Sequence, residues 1–447
     1  YKFWGSNIEV CRLTVQQHTE TLASLIRFPW DLIVMDSVMS PCGAFITGAA
    51  HTVTGVPYII VSGSFQMKDV QRYRAIPEPI SDAVDIERYF DTKKFTDRLR
   101  NAFEWKIGAF LIDQYVAHSL NRIVNDFKSR SNDRELNDKI YPNGFDYRQL
   151  DTEALYSLHV YPYLLDYPRP TTVDEIRADD MTCGIYKNAH DSSGKLAEPY
   201  GSFVEDPKSE GTIVVAFGHL VNWNVVPMHS IIAFANAFNR FPDHRIVWQY
   251  NGVKFSKIAN FPTIGRHILV GPWIPQTALL LHSSSKLFLS HMGLKSVREG
   301  ICARVPFVAL PTYAEQNLNA RMIVDRLKSG VSLSKDNLTE ETITTAISSA
   351  LYGITGGYFQ RNVQKLERYM SDVIRNRLDL AIDRFEFAMR HRNTLQNREM
   401  MTLRGRKLSF VQYFCLDVLL ITAMTTCATM TCIFFGLTQI FRLMRKQ

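Results

Sequence analysis

FLSHMGLKSVREGICARVPFVALPTYAEQNLNA, residues 288–320, sets two apolar runs one after the other, each closing on polar residues. A short apolar run ends in His291, and Gly293, Ser296 and Glu299 follow where a helix begins. A second apolar run ends at Pro311, with the acid–amide pair Glu315-Gln316 just beyond. A buried strand needs only a turn at its end. Polar groups of this kind at two consecutive strand ends describe a surface facing a ligand with phosphates and hydroxyls.

Working outward from Gly211, the same alternation repeats. TIVVAFG (212–218), RIVWQY (245–250), HILVGPW (267–273), KLFLSHM (286–292), PFVALP (306–311) and GVSLS (330–334) read as strands. Helical periods at 227–240, 276–283, 296–303, 315–328 and 339–353 separate them. Strands interleaved with helices give a doubly wound parallel sheet, whose ligands sit outside the carboxyl ends of the strands. Earlier in the chain, DLIVMDS (31–37), CGAFITGAAHTV (42–53) and GVPYIIVSGS (55–64) form a strand–helix–strand unit. Residues 1–30 read as a helical lead-in, 80–150 as mostly helical, and the proline- and charge-rich 166–180 as a connector. A long helical run from Tyr358 to about Arg392 follows the second sheet, and a basic linker follows that.

The bulk numbers agree with two domains. A chain of 447 residues exceeds one ordinary core. With 46% hydrophobic and 21% charged residues it is globular. The net charge of +7 is spread out, apart from 390–407 and the last six residues. No basic face interleaved with aromatics occurs, which sets nucleic acid aside as a partner. Seven cysteines lack any CxxC spacing, so no zinc or thioredoxin-like motif is present. Cys11, Cys42, Cys183 and Cys302 are scattered, with buried free thiols the first expectation and a disulfide among them the alternative; Cys415, Cys427 and Cys432 lie in or beside the C-terminal apolar run.

That region carries 24 residues without a charge, VLLITAMTTCATMTCIFFGLTQIF (418–441), which exceeds the roughly 20 that span a bilayer. Basic residues flank it on both sides, so the charge count alone leaves its orientation open. The opening YKFWGSNIEV has no basic start followed by an apolar stretch, and so does not read as a signal peptide.

Each candidate residue has an ordinary reading beside the functional one. His291 can donate a ring N–H to a phosphate oxygen, and Gly293 lets the backbone approach closely. Ser296 sits at a helix start with free amides and the positive end of the dipole. Ser296-x-x-Glu299 also matches a capping box. Glu299 can instead accept two ribose hydroxyls. Trp273 offers a flat face for a base, although a lone Trp at a strand end is ordinarily core. Gln276 can reach a ribose, and Glu315-Gln316 can hold sugar hydroxyls or simply begin a solvated helix.

Taken together, Trp273 to Gln276, His291 to Glu299 and Pro311 to Gln316 resemble the UDP-glycosyltransferase signature W-x-P-Q, H-x-G-x-N-S-x-x-E and P-x-x-x-[DE]-Q. The resemblance extends to the segment around Asp36, DYPRP (166–170), VVAFG (214–218), AMRH (388–391) and YFCLDV (413–418). It implies the membrane-anchored animal type closest to UDP-glucuronosyltransferases, a transferase of the detoxifying kind.

The implied fold is GT-B, α/β, with two Rossmann-like domains and a C-terminal transmembrane helix. Expected bounds are 1–195 for the acceptor domain, 196–356 for the donor domain and 357–410 for C-terminal helices and linker. The membrane helix is placed at 411–441 and a short basic cytoplasmic tail at 442–447. By the resemblance Trp273 stacks on uracil, Gln276 and Glu299 hold the ribose, and Gly218, His219, His291, Gly293 and Ser296 line the diphosphate. Glu315 and Gln316 hold the transferred sugar. Transfer inverts the anomeric centre and needs no metal or cofactor, the UDP-sugar being a co-substrate; no Asp-x-Asp motif occurs. The implied location is the endoplasmic reticulum, single-pass, with lumenal catalytic domains. Homo- or hetero-oligomers are the implied assemblies.

Departures from the signature are specific. Lys295 stands where the pattern has Asn, Met292 where glycine is common, and His219 where a small hydroxyl residue follows VVAFG. The implied base is a histidine oriented by a buried acid, matched here by Asp36 as the catalytic residue of this chain. That histidine and the first strands of the sheet are expected ahead of Tyr1, so the 447-residue chain on its own is expected to be inactive. The expected function is transfer of a hexosyl group, glucuronate first, from UDP-glucuronate or UDP-glucose to a hydroxyl of a small lipophilic acceptor. The alternatives are a UDP-glucosyltransferase, since no W-L-x-R stretch precedes DYPRP, and a non-catalytic UDP-sugar-binding paralogue, suggested by His219 and Lys295.

Overall fold

The computed structural model describes residues 2–36, 40–63, 93–161, 172–178, 183, 196–219, 221–313, 315–353, 357–372, 377–391, 408–413 and 415–445. DYPRP, the 195/196 boundary and the basic linker at 392–407 lie outside them.

The first half opens with helix α1 (Lys2–Arg27), then β1 (Ile33–Asp36), α2 (Pro41–Thr54) and β2 (Tyr58–Ser62). Three helices follow, α3 (Phe95–Arg130), α4 (Arg134–Lys139) and α5 (Tyr147–Glu153), and then strands β3 (Tyr156–His159) and β4 (Glu175–Arg177). The four strands are parallel in the order β1-β2-β3-β4. The apolar side of α1, with Val15, Leu22 and Ile26, packs with Phe45 of α2 and Phe127 of α3. A disulfide from Cys11 to Cys42 joins α1 to α2.

The second half begins with α6 (Tyr200–Val204) and continues β5 (Thr212–Ala216), α7 (Met228–Asn239), β6 (Arg245–Gln249), β7 (Ile268–Gly271) and α8 (Gln276–Leu281). β8 (Ser285–Ser290), α9 (Leu294–Cys302), β9 (Phe307–Ala309), α10 (Gln316–Arg321), β10 (Gly330–Ser332) and α11 (Glu340–Tyr352) complete it. All six strands are parallel, in the order β10-β9-β8-β5-β6-β7. Along β5, Ile213 and Val215 enter one core and Val214 and Ala216 the other, as the two-residue period of a strand covered on both faces requires. The chain leaves β5 toward β6 on one side and reaches β8 on the other. The strand order therefore reverses between β5 and β8, where open sheets of this kind leave a crevice for ligands.

Three expectations are corrected here. The connector at 166–180 contains a strand, β4, paired to β3. The helical run after Tyr358 is two helices, α12 (Tyr358–Ser371) and α13 (Arg377–Arg390). α13 returns to the first sheet, with Ala381 and Ala388 buried in one core with Ile59, Tyr156 and Ile176. The cysteines expected as free thiols form two disulfides, Cys11–Cys42 and Cys183–Cys302. Partners 31 and 119 residues apart meet only through tertiary structure. Among the described residues, Cys415, Cys427 and Cys432 are free. After the short α14 (Phe410–Tyr413) comes α15 (Leu416–Met444), in which Leu416–Thr438 is long and apolar enough to cross a membrane.

Candidate donor-binding site

A recess of about 500 Å³ opens at the carboxyl ends of β5, β6 and β8, against the first turns of α8 and α9. That is the size range of small-molecule sites. Gly218, His219, Trp273, Gln276, His291, Gly293, Ser296 and Glu299, all singled out by sequence, line it.

His291 follows the last residue of β8 and is 9% exposed. Its Nδ1 is buried without a hydrogen-bond partner. Its Nε2 faces two glycines: a Cβ on Gly218 would come within 2.8 Å of that atom, and one on Gly293 within 2.6 Å. Gly218 also has φ +70°, a conformation suited to glycine. Burial pushes the imidazole down to about 4, with His219 nearby acting in the same direction and the Ala216 backbone opposing it. His291 is therefore neutral at pH 7.

Between His291 and Gly293, Met292 has φ +67°. A left-handed conformation costs a non-glycine residue roughly 1–2 kcal/mol, which explains why glycine suits this position. Met292 nevertheless fills the core, fully buried. Beyond it Gly293 caps α9, and the first intrahelical bond runs from Val297 N–H to the Gly293 carbonyl at 3.0 Å. The amides of Leu294, Lys295 and Ser296 thus precede the first intrahelical bond and have no partner within the helix. Lys295, exposed in this first turn, places a cation where the helix dipole disfavours one. An anion in the recess would answer both the amides and the lysine.

Ser296 and Glu299 do not form the capping box that their spacing suggests. The cap is Gly293, which has no side chain, and Ser296 is the third helical residue. Gln276 Nε2 instead donates to Ser296 Oγ at 3.1 Å and to Glu299 Oε2. Thr277 Oγ1 donates to Glu299 Oε1 at 2.8 Å. Glu299 is 2% exposed, and these donors give its buried oxygens the hydrogen bonds that burial requires. Trp273 is not core: it is 71% exposed at the rim. Gln249, at the end of β6, also lines the recess and was missed, although a polar residue closing an apolar run was the signal already used for His291.

Three predicted residues stand apart from this recess. Gln316 is buried in α10, where its Oε1 accepts from Thr312 N (2.9 Å), Thr312 Oγ1 (2.8 Å) and Tyr313 N (3.2 Å), bracing the loop after β9. Glu315 precedes it, and burial pushes its carboxyl above the usual range. Neither residue lines the recess. Asp36 ends β1 as expected, but it is exposed rather than buried, because β1 is the outermost strand among those described.

The comparisons with known proteins agree with this geometry. The protein-family model described as UDP-glucoronosyl and UDP-glucosyl transferase matches residues 2–447. UDP-glucuronosyltransferase 1A6 of Homo sapiens is 24% identical over 403 residues, 90% of this chain and 68% of that protein. UDP-glucuronosyltransferase 1A4 of Oryctolagus cuniculus is 27% identical over 257 residues, 58% of this chain and 44% of that protein. Among solved structures, Os79 from O. sativa in complex with UDP has a TM-score of 0.52 at 16% identity, over 84% of this chain and 82% of that one. Os79 in complex with U2F and trichothecene gives 0.54 at 17% identity, over 84% and 81%. At such identities the structural likeness establishes the GT-B fold alone. The family match over nearly the whole length establishes more: this chain belongs to the UDP-glucuronosyl and UDP-glucosyl transferase family and is a glycosyltransferase.

Proposed function

We propose that the protein transfers a hexosyl group, glucuronate by preference, from a UDP-sugar in this recess to a hydroxyl of a small lipophilic acceptor. The observation that carries the reading is the convergence of an exposed indole, a hydrogen-bonded Gln–Glu pair, a buried histidine and a helix start at the strand reversal. In this reading Trp273 stacks on uracil, and Gln276 and Glu299 take the ribose hydroxyls. His291 and the α9 amides face the diphosphate, and the transferred sugar extends out of the recess toward Glu315 and Gln316, which lie outside its lining. Lys295 and His219 both line the recess, and their positive or protonatable groups favour a donor whose sugar carries a carboxylate.

The chemistry is a single displacement without a metal. The acceptor oxygen bonds to the anomeric carbon as the bond from that carbon to the UDP oxygen breaks, with inversion. The acceptor proton passes to an imidazole base that Asp36 orients. UDP departs with charge that the ring N–H of a neutral His291 and the helix amides stabilise. A non-catalytic UDP-sugar-binding role is the second reading, favoured by Lys295 and His219 standing where the family pattern has Asn and a small hydroxyl residue.

Transfer assays in microsomes with UDP-glucuronate, UDP-glucose and a panel of phenols separate these readings. Glucuronide formation that Lys295→Asn reduces more than glucoside formation supports the first. A preference for glucose contradicts the donor assignment, and donor binding without transfer to any acceptor favours the second reading. We further propose a lumenal orientation in the endoplasmic reticulum, with the tail after α15 in the cytosol. The exposed sequon Asn337-Leu338-Thr339 would then be reachable for glycosylation. Digestion of the large domains by protease added outside sealed microsomes would contradict that orientation.

A further inference from the structure

Asn319 in α10 is 1% exposed and does not line the recess, yet both ends of its amide are committed. Nδ2 donates to the Met292 carbonyl at 2.8 Å, and Oδ1 accepts from the Tyr161 hydroxyl at 2.8 Å. Met292 is the left-handed residue that turns the chain from β8 into α9, between His291 and Gly293. Its N–H is held as well, donating to Ser290 Oγ at 3.1 Å. The turn is thus gripped on both sides by buried side chains. Without Asn319 the carbonyl of a fully buried residue would lose its partner while the backbone there is already unfavourable.

Tyr161, two residues beyond β3, extends the contact to the first half of the chain. Cys183, beyond β4 at the end of the first sheet's strands, bonds to Cys302 at the last residue of α9. Residues leaving the first sheet therefore hold α9 at its end through a disulfide and at its start through Asn319.

We infer that Asn319 is a positioning residue of the donor site. By holding the Met292 carbonyl it keeps the left-handed turn that presents His291 and the α9 amides to the diphosphate. This rests on the donor-site reading given above. The bond to Met292 carries the effect, and the bond to Tyr161 is secondary.

Titration of UDP into the full chain in detergent tests it. Asn319→Leu keeps the volume and removes both bonds, and is expected to weaken UDP binding about tenfold or more. Tyr161→Phe removes only the outer bond and should stay within about threefold of wild type. Met292→Gly removes a buried side chain and so serves as its own reference: in that background Asn319→Leu should weaken UDP binding by less than about threefold further, because glycine takes the turn without strain. A merely structural asparagine would cost the same affinity in both backgrounds. If Asn319→Leu does not fold, Asn319→Asp at pH 8 serves in its place, since it still accepts from Tyr161 but offers no donor to Met292. A wild-type chain that does not bind UDP removes the donor-site reading itself. A wild type that binds, with Asn319→Leu within twofold of it or costing the same affinity in the Met292→Gly background, removes only the role of Asn319.

Discussion

The Cβ that Gly293 lacks would stand 2.6 Å from Nε2 of His291, closer than such atoms approach in folded proteins. Gly293 is therefore kept small by the imidazole beside it, as well as by its place as the cap of α9. Gly293→Ala has to push the ring of a buried histidine, and overpacking of this kind costs roughly 1–3 kcal/mol. The expected outcome is a weaker UDP complex by about tenfold or more, read by calorimetry, together with a lowered melting temperature. Unchanged UDP affinity would mean that the ring does not face the ligand.

Trp273 makes the opposite prediction, loss of binding without loss of stability. An indole 71% exposed contributes little to the core. Trp273→Ala should leave stability within about 0.5 kcal/mol of wild type. If the indole stacks on the base, UDP binding should weaken by roughly 1–3 kcal/mol. A variant that loses stability but keeps affinity would return the residue to a packing role.

Gln276 and Glu299 should behave as a coupled pair. Each single substitution, Gln276→Ala or Glu299→Ala, leaves buried polar groups unsatisfied and should cost roughly 1–3 kcal/mol of stability. The double variant should cost less than the sum, with a coupling of about 0.5–3 kcal/mol in a thermal-denaturation cycle. Strict additivity would show that the bond from Gln276 to Glu299 is not made in solution.

His291 sets a pH dependence of defined sign. Its imidazole is pushed from 6.5 to about 4, so the unfolded chain binds the extra proton in that window and the folded chain does not. The stability present above pH 6.5 should therefore decline as the pH falls toward 4, by up to roughly 3 kcal/mol from this group. His291→Gln should flatten the decline. Because a diphosphate favours the imidazolium, UDP should offset more of it as the pH falls. Parallel slopes for wild type and variant, measured by denaturant midpoints across pH 4–7, would contradict this assignment.

The second sheet was legible because each strand is an apolar run bounded by turn residues, and the polar groups at their ends marked the recess. What local pattern concealed was pairing through space. Ser296-x-x-Glu299 has the spacing of a capping box, so nothing nearby in sequence revealed that Gln276 and Thr277 supply the donors. β3 ends in His159 and carries Ser157, both buried polar residues, and β4 is a three-residue strand inside a charged segment. Neither offers the apolar alternation by which strands are read. The disulfides depend on helix packing that brings together cysteines with no sequence relation. Tyr161 and Asn319 are 158 positions apart, and only the assembled fold makes them neighbours.

On the reading proposed above, the recess between β5 and β8 holds the UDP part of a sugar donor. Titration of UDP into the 447-residue protein in detergent micelles, alongside Trp273→Ala and Gly293→Ala, tests it most directly. The predicted result is one saturable site, weakened by both substitutions, with Trp273→Ala melting as wild type does. The absence of binding at millimolar UDP, or binding that neither substitution alters, would contradict the claim.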